Sequence, residues 1–306
     1  MHEPAAAPDG HTTITFLQTG TCQIKTVMYT QPATRSMALR RLNIFTGKEW
    51  TDPLPIGAFL VKHSSGPFLF DAGESTCCNN PGYFPMWTKP IQSLSTTQIN
   101  PEDSIVKQLR KHGVEPKDLK GIVLSHLHHD HAGGLDEIII EAPEVPIYIS
   151  KPHWVAFGTH PFKASIQGSA PQHWPKSFPP RMLELKKEPV GPWTHSYPLT
   201  DDGRIVAVDT PGHVPGHVSL VVRCENDNGT DTTYFLTGDA TYGIALLEAE
   251  ETDGVNDDPV RALESLRMIK EFARQQEVVV LPSHDADTPR LLAEKIAYSP
   301  KSLSKK

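Results

Sequence analysis

The sequence predicts an α/β fold built as one domain over residues 12–295, and three observations carry that prediction. Short β-branched and apolar runs alternate with capped helical segments, the pattern of sheets covered by helices. The alternation occurs once in each half of the chain, as strands, then a helix, then a strand. Several strands in both halves run into His or Asp beside Gly or Pro, so polar chemistry collects where strands end.

Taken in order, residues 1–11 are rich in Ala, Pro and Gly and read as a flexible tail. They lack the basic start and apolar core of a secretion signal, so a cytoplasmic protein is expected. Residues 12–17 and 26–29 read as strands, and 57–62 and 67–70 as a hairpin turning at Ser64, Ser65 and Gly66. Residues 74–100 show no period and read as a long surface loop that could serve as a lid. Ser104 caps a helix through His112, with Ile105 and Leu109 four apart and Gly113 ending it. A strand at 122–124 follows, then another at 145–149. Residues 151–195 carry Trp154, Phe157, Phe162, Trp174, Phe178 and Trp193 and read as an inserted cover, most of whose rings are expected in the core. In the second half, 204–208, 218–222 and 233–236 read as strands. Asp258 caps a helix with Pro259 at its first position, and Val260, Leu263, Leu266 and Ile269 are its expected buried stripe. A last strand spans 277–281, and 296–306 read as a C-terminal tail.

The most informative stretch is residues 126–131, His-Leu-His-His-Asp-His, directly after an apolar strand and before Gly133 and Gly134. Alternate residues of an extended chain point the same way, so His126 and His128 can share a cation. Asp130 and His131 lie where the chain must turn and can reach a second ion. Imidazole nitrogen with carboxylate oxygen, and no thiolate, is a ligand set for zinc, manganese, iron or cobalt. Four further strand ends carry Asp71, His213, Asp239 and His284. A single histidine after a strand is usually a satisfied core or surface residue; four such ends beside the cluster point to two divalent metal ions.

Composition narrows the partners. The chain has 306 residues, a formal charge of -7 and no long basic run, so it lacks the electrostatic footprint of nucleic-acid binding. No apolar stretch reaches the roughly 18 residues needed to span a bilayer. Cys22, Cys77, Cys78 and Cys224 are scattered unlike a disulfide framework or a zinc knuckle.

His126, His128, Asp130 and His131, then His213, Asp239 and His284 in that order, resemble the metallo-β-lactamase superfamily. The resemblance covers nearly the whole chain. It implies an αββα sandwich, two mixed β-sheets flanked by helices, with metals at one rim. By position, one metal takes His126, His128 and His213, the other Asp130, His131 and His284, and Asp239 bridges them. Asp71 orients ligands without touching metal. Tyr242, three residues after Asp239, and the doubled Pro-Gly-His ending at His213 and His217 resemble the N-acyl homoserine lactonases. That branch implies a small cyclic ester as substrate, attacked at the ring carbonyl by a hydroxide shared between the metals. Tyr242 would bind the carbonyl, Asp130 would carry a proton to the leaving group, and a homodimer is plausible. His217 reads as a structural residue bonded inside its loop. His129 stands where those lactonases often carry an apolar residue, so it is expected either to face the substrate or to be solvated. Alternatives are a lactamase or cyclic carbamate hydrolase acting on a heteroaromatic ring, or a thioesterase of the glyoxalase II kind.

Overall fold

The computed structural model describes residues 11–176, 180–226 and 228–301. The expected tails at 1–10 and 302–306, and Phe178, lie outside the described residues. Two sheets form the frame. The first has seven strands: β1 (Thr13–Ile24), β2 (Leu54–His63), β3 (Gly66–Phe70), β4 (Ser95–Gln98), β5 (Gly121–Val123), β6 (Ile147–Ile149) and β7 (Arg181–Met182). Their order across the sheet is β4-β1-β2-β3-β5-β6-β7. The second sheet, β12-β11-β10-β9-β8, contains β8 (Tyr197–Pro198), β9 (Ile205–Asp209), β10 (Val218–Glu225), β11 (Asp231–Leu236) and β12 (Val279–Leu281). Both are mixed: β3 pairs parallel with β5, and β11 with β12, while β1–β2 and β10–β11 are antiparallel.

Side-chain alternation along the strands builds three apolar layers. Phe59 and Val61 of β2 meet Leu220, Val222 and Leu236 between the sheets. Leu60 of β2 and Leu69 of β3 point outward onto Ile105 and Leu109 of the helix Ile105–Lys111. On the other side Val208, Val221 and Phe235 meet Leu266, Ile269 and Phe272 of the helix Pro259–Gln275. The result is the αββα sandwich expected. Strands buried on both faces read as continuous apolar runs, which is why residues 57–62 and 277–281 were so readable.

The caps follow the sequence. Ser104 accepts the Lys107 N–H, and Asp258 accepts from Val260 and Arg261, each such cap contributing about 1 kcal/mol. Four expectations are corrected. Thr26–Tyr29 is a helical turn, not a strand: β1 already runs to Ile24, and the amides of Met28 and Tyr29 fold back onto Lys25 O. Residues 74–100 are not wholly loop, because β4 pairs antiparallel with the end of β1 and Lys89–Gln92 is helical. Val260 is 60 % exposed; the buried face of its helix is set instead by Ala262, Ser265, Leu266, Ile269 and Phe272. Beyond residue 295 the chain is still packed, with Ile296 and Tyr298 against the core and the Tyr298 N–H bonded to Val278 O.

In 151–195, Phe157 and Trp193 are core residues, but Phe162 is 68 % exposed and stacks on Trp87. All four cysteines are free thiols. No helix among the described residues is long and apolar enough to cross a membrane.

Candidate metal centre

The topology sends five strand ends to one rim. β3 and β5 are parallel, so Asp71 and the 126–131 segment emerge side by side. β9, β11 and β12 share a direction, since β10 is antiparallel to both β9 and β11, and they deliver His213, Asp239 and His284. Ser125 to His128 form a loop, and His129–Ala132 make one helical turn that swings Asp130 and His131 back over the rim.

The seven expected ligands converge in two groups: His126, His128, His213 and Asp239, and Asp130, His131 and His284. Within each group the ligand atoms lie within 4.8 Å of one another. Asp239 stands between them. Its Oδ2 is 3.4 Å from His213 Nε2 and 3.8 Å from His126 Nε2, while its Oδ1 is 3.0 Å from His131 Nε2 and 3.2 Å from His284 Nε2. Asp130 is more peripheral, 3.7 Å from His284 Nε2 and 4.0 Å from His131 Nε2.

Hydrogen bonds behind the rings decide what the inner nitrogens offer. Asp71 Oδ2 accepts His131 Nδ1–H at 2.8 Å, and Pro55 O accepts His284 Nδ1–H at 2.8 Å. The Ser125 hydroxyl donates to Asp71 at 2.8 Å, so it receives His126 Nδ1–H at 2.9 Å. In the neutral rings the Nε2 atoms of His126, His131 and His284 are therefore lone pairs. His131 Nε2 faces His284 Nε2 at 3.3 Å, and His128 Nδ1 faces His126 and His213 nitrogens at 2.8 and 3.0 Å. Asp239 Oδ1 is buried without a hydrogen-bond partner among the described residues. Lone pairs and carboxylate oxygens packed this closely are stable only around positive charge. The nitrogen-and-oxygen donor set fits divalent metal.

The titration directions divide the ligands, since His126 and His128 are held neutral while the carboxylates draw positive charge to His131, His213 and His284. Burial drives the His126 and His128 pKa values well below 6.5, reinforced by neighbouring histidines. Burial also opposes charge on His131, but Asp239, Asp71 and Asp130 together pull its pKa well above 6.5. For Asp130, burial favours the neutral acid, yet His131, His129 and His284 hold it at about 2, so it is ionised. Asp71 adopts φ +59°, a left-handed conformation that an Asp tolerates and that aims both its oxygens at Ser125 and His131.

Tyr242 is buried, with its ring 5.3 Å from that of His284 and 6.0 Å from that of His213. Burial raises the pKa of its hydroxyl well above 10, so it stays protonated and able to donate. His217 is structural, as expected. Its Nδ1 meets Thr210 Oγ1 at 2.9 Å and its Nε2 accepts the Asp239 N–H at 3.0 Å. Gly238 (φ +54°) makes that approach feasible, since a Cβ there would stand 2.9 Å from His217 Nε2. His129 is neither solvated nor unpaired: its Nδ1 is held by the fully buried Glu74, and its ring packs edge-on against Phe84 at 5.1 Å. A fifth of its side chain stays exposed.

A family model described as the metallo-beta-lactamase superfamily matches residues 51–284. The chain belongs to that superfamily. Within it, this chain is similar to an N-acyl homoserine lactonase of a Bacillus species, 30 % identical over 242 residues that cover 78 % of this chain and 84 % of that one. It is also similar to the N-acyl homoserine lactonase AttM of Rhizobium radiobacter, 26 % identical over 81 % of this chain and 87 % of the relative. These relatives put it in the N-acyl homoserine lactonase branch. Among solved structures, an N-acyl homoserine lactone hydrolase with N-hexanoyl-L-homoserine at its catalytic metal center superposes with a TM-score of 0.68. That match is 24 % identical and covers 90 % of this chain and 94 % of the other, confirming the fold.

Three residues of this site carried no sequence signal. Asp253 sits 3.3 Å from His213 Nδ1, Glu74 holds His129, and the Tyr29 ring lies 6.0 Å from that of Tyr242. Asp253 and Glu74 lie in loops with no ligand-like spacing, and Tyr29 lies in a helical turn of strand-forming residues.

Proposed function

We propose that the chain is a lactonase that uses two divalent cations, with zinc as the first choice, to open a small cyclic ester of the N-acyl homoserine lactone kind. The observation that carries this is Asp239, which turns one oxygen to each ligand group, with the Tyr242 ring 5.3 Å from that of His284 and 6.0 Å from that of His213. The lactonase relatives of 30 % and 26 % identity support the substrate class.

His126, His128 and His213 would hold one ion and Asp130, His131 and His284 the other, with Asp239 between them. Bound there, such ions polarise a carbonyl and bring the pKa of a water towards about 7. The protein's own part is threefold. Tyr242 O–H donates to the carbonyl oxygen as it becomes an oxyanion. Asp130, held ionised, takes the proton released by the attacking water and returns it to the ring oxygen as the C–O bond breaks. Asp71, Ser125 and Pro55 O keep the ligand rings in the tautomer that presents a lone pair.

The test is a hydrolysis screen of metal-replete protein against acyl homoserine lactones, bicyclic lactams, cyclic carbamates and glutathione thioesters. The expected product is the ring-opened N-acyl homoserine. Turnover of a lactam, carbamate or thioester with none of the lactones would overturn the reading.

A further inference from the structure

The helix Met37–Thr46 lies against the protein in an unusual way. Its one buried residue is Arg40, at 1 % exposure, whereas Leu39, Leu42 and Phe45 face outward. The guanidinium ends in neutral acceptors. Nη1 donates to the carbonyls of Gln31 and Pro32 at 3.0 and 2.8 Å, and Nη2 to Asp253 O and, at 2.6 Å, to Asn256 Oδ1. Asn256 in turn donates its amide Nδ2–H to Asp253 Oδ2, and Val255 N–H holds Asp253 Oδ1 at 3.0 Å. Asp253 Oδ2 then lies 3.3 Å from His213 Nδ1, a buried nitrogen with no well-aligned hydrogen bond of its own. The same loop is zipped to the ligand segment, since Asp257 N–H donates to His213 O and Asp258 N–H to Gly212 O, both at 2.9 Å.

A buried guanidinium is a poor source of stability, because its desolvation offsets most of what its bonds return; an apolar side chain of similar volume often does as well. What it does supply is geometry: donors fixed in one plane that lock three segments together. We propose that Arg40 is a positioning residue for the metal centre. Through Asn256 it fixes the Asp253 carboxylate, and Asp253 fixes the ring and tautomer of His213. The inference rests on the two-metal reading and concerns one of its two ion positions, because His213 belongs to the group of His126 and His128 and not to that of His131 and His284.

The experiment is a zinc titration of apoprotein against a chromophoric chelator, resolving the two binding steps, in wild type, Arg40→Gln, Asn256→Ala and Asp253→Asn. One step is expected to weaken by about 10- to 100-fold in each variant, the range seen when a group behind a ligand is removed, while the other step stays within about twofold. Should Arg40→Gln fail to fold, Asn256→Ala carries the test, since it removes the link and leaves the guanidinium its carbonyl partners. Equal weakening of both steps would make the network merely structural, and two unchanged steps would leave it without a role at the metals; either overturns the proposal. Wild type that binds no zinc would overturn the two-metal reading itself and the inference with it.

Discussion

The two ends of β2 hold histidines of opposite character. At the far end His63 is satisfied on both nitrogens: Nδ1 accepts from Ser65 at 2.8 Å, and Nε2–H donates to Asp202 at 2.8 Å. At the metal rim His284 is satisfied on one nitrogen only, by Pro55 O of the same strand, and its Nε2 faces His131 Nε2 and Asp239. Both histidines are buried, so burial does not separate a ligand from a structural histidine. What separates them is whether the second nitrogen has a complementary partner or stands against other lone pairs. His217 and His153 obey the rule from within the site's own neighbourhood. Each ring lies beside that of His126, yet both of its nitrogens are bonded, His153 to Pro215 O and to the Leu127 N–H.

Mutation can break this contrast, and the largest effect belongs to the residue between the two groups. Asp239→Ala should lower turnover by about 10³-fold or more, equivalent to about 4 kcal/mol, with loss of bound metal in elemental analysis. Next comes His129→Leu, which leaves Glu74 buried and unpaired. A loss of about 3 kcal/mol in denaturant unfolding is expected, most of it restored in the double variant with Glu74→Gln. Tyr242→Phe should reduce kcat by roughly tenfold, about 1.4 kcal/mol, with metal content intact; unchanged kcat on the lactone would remove its carbonyl role.

The smallest effect is at the far end of β2. His63→Ala should cost about 1 kcal/mol of stability and leave metal content and kcat unaltered, so any loss of metal there would defeat the comparison. The pH dependence of that end has a definite sign. Partial burial would raise the Asp202 pKa, but bonds from Thr200, the Arg204 N–H and His63 bring it down to about 2. The stability this carboxylate contributes is thus present above about pH 4 and lost as pH falls towards 2, and Asp202→Asn should flatten acid unfolding in that window.

Much of this was legible in the sequence, for reasons the structure makes plain. The ligand segments and Asp71 follow largely buried strands, so an apolar run followed by His or Asp marked the rim at 71, 126–131, 213, 239 and 284. The long helix Pro259–Gln275 showed itself through Asp258 and Pro259, whose capping is local chemistry, whereas Ile244–Ala249 and Thr288–Ala293 did not. What stayed hidden depends on contacts between distant segments. Thr26–Tyr29 has strand-forming residues, but a four-residue turn is set by where β1 ends. Glu74 meets His129, and Asp253 meets His213, only because folded loops bring them there. Val260 is exposed although its spacing fits the stripe, because the buried face of its helix runs through Pro259, Ala262, Ser265, Leu266, Ile269 and Phe272 instead.

The central claim is that the lone pairs gathered around Asp239 exist to hold two cations. Elemental analysis of the purified protein, calibrated by quantitative amino-acid analysis, tests it directly. Close to two divalent ions per chain are expected, falling on substitution of Asp239 and unaffected at His63. Protein that folds, stays soluble and takes up no divalent metal even when supplied with zinc would contradict it.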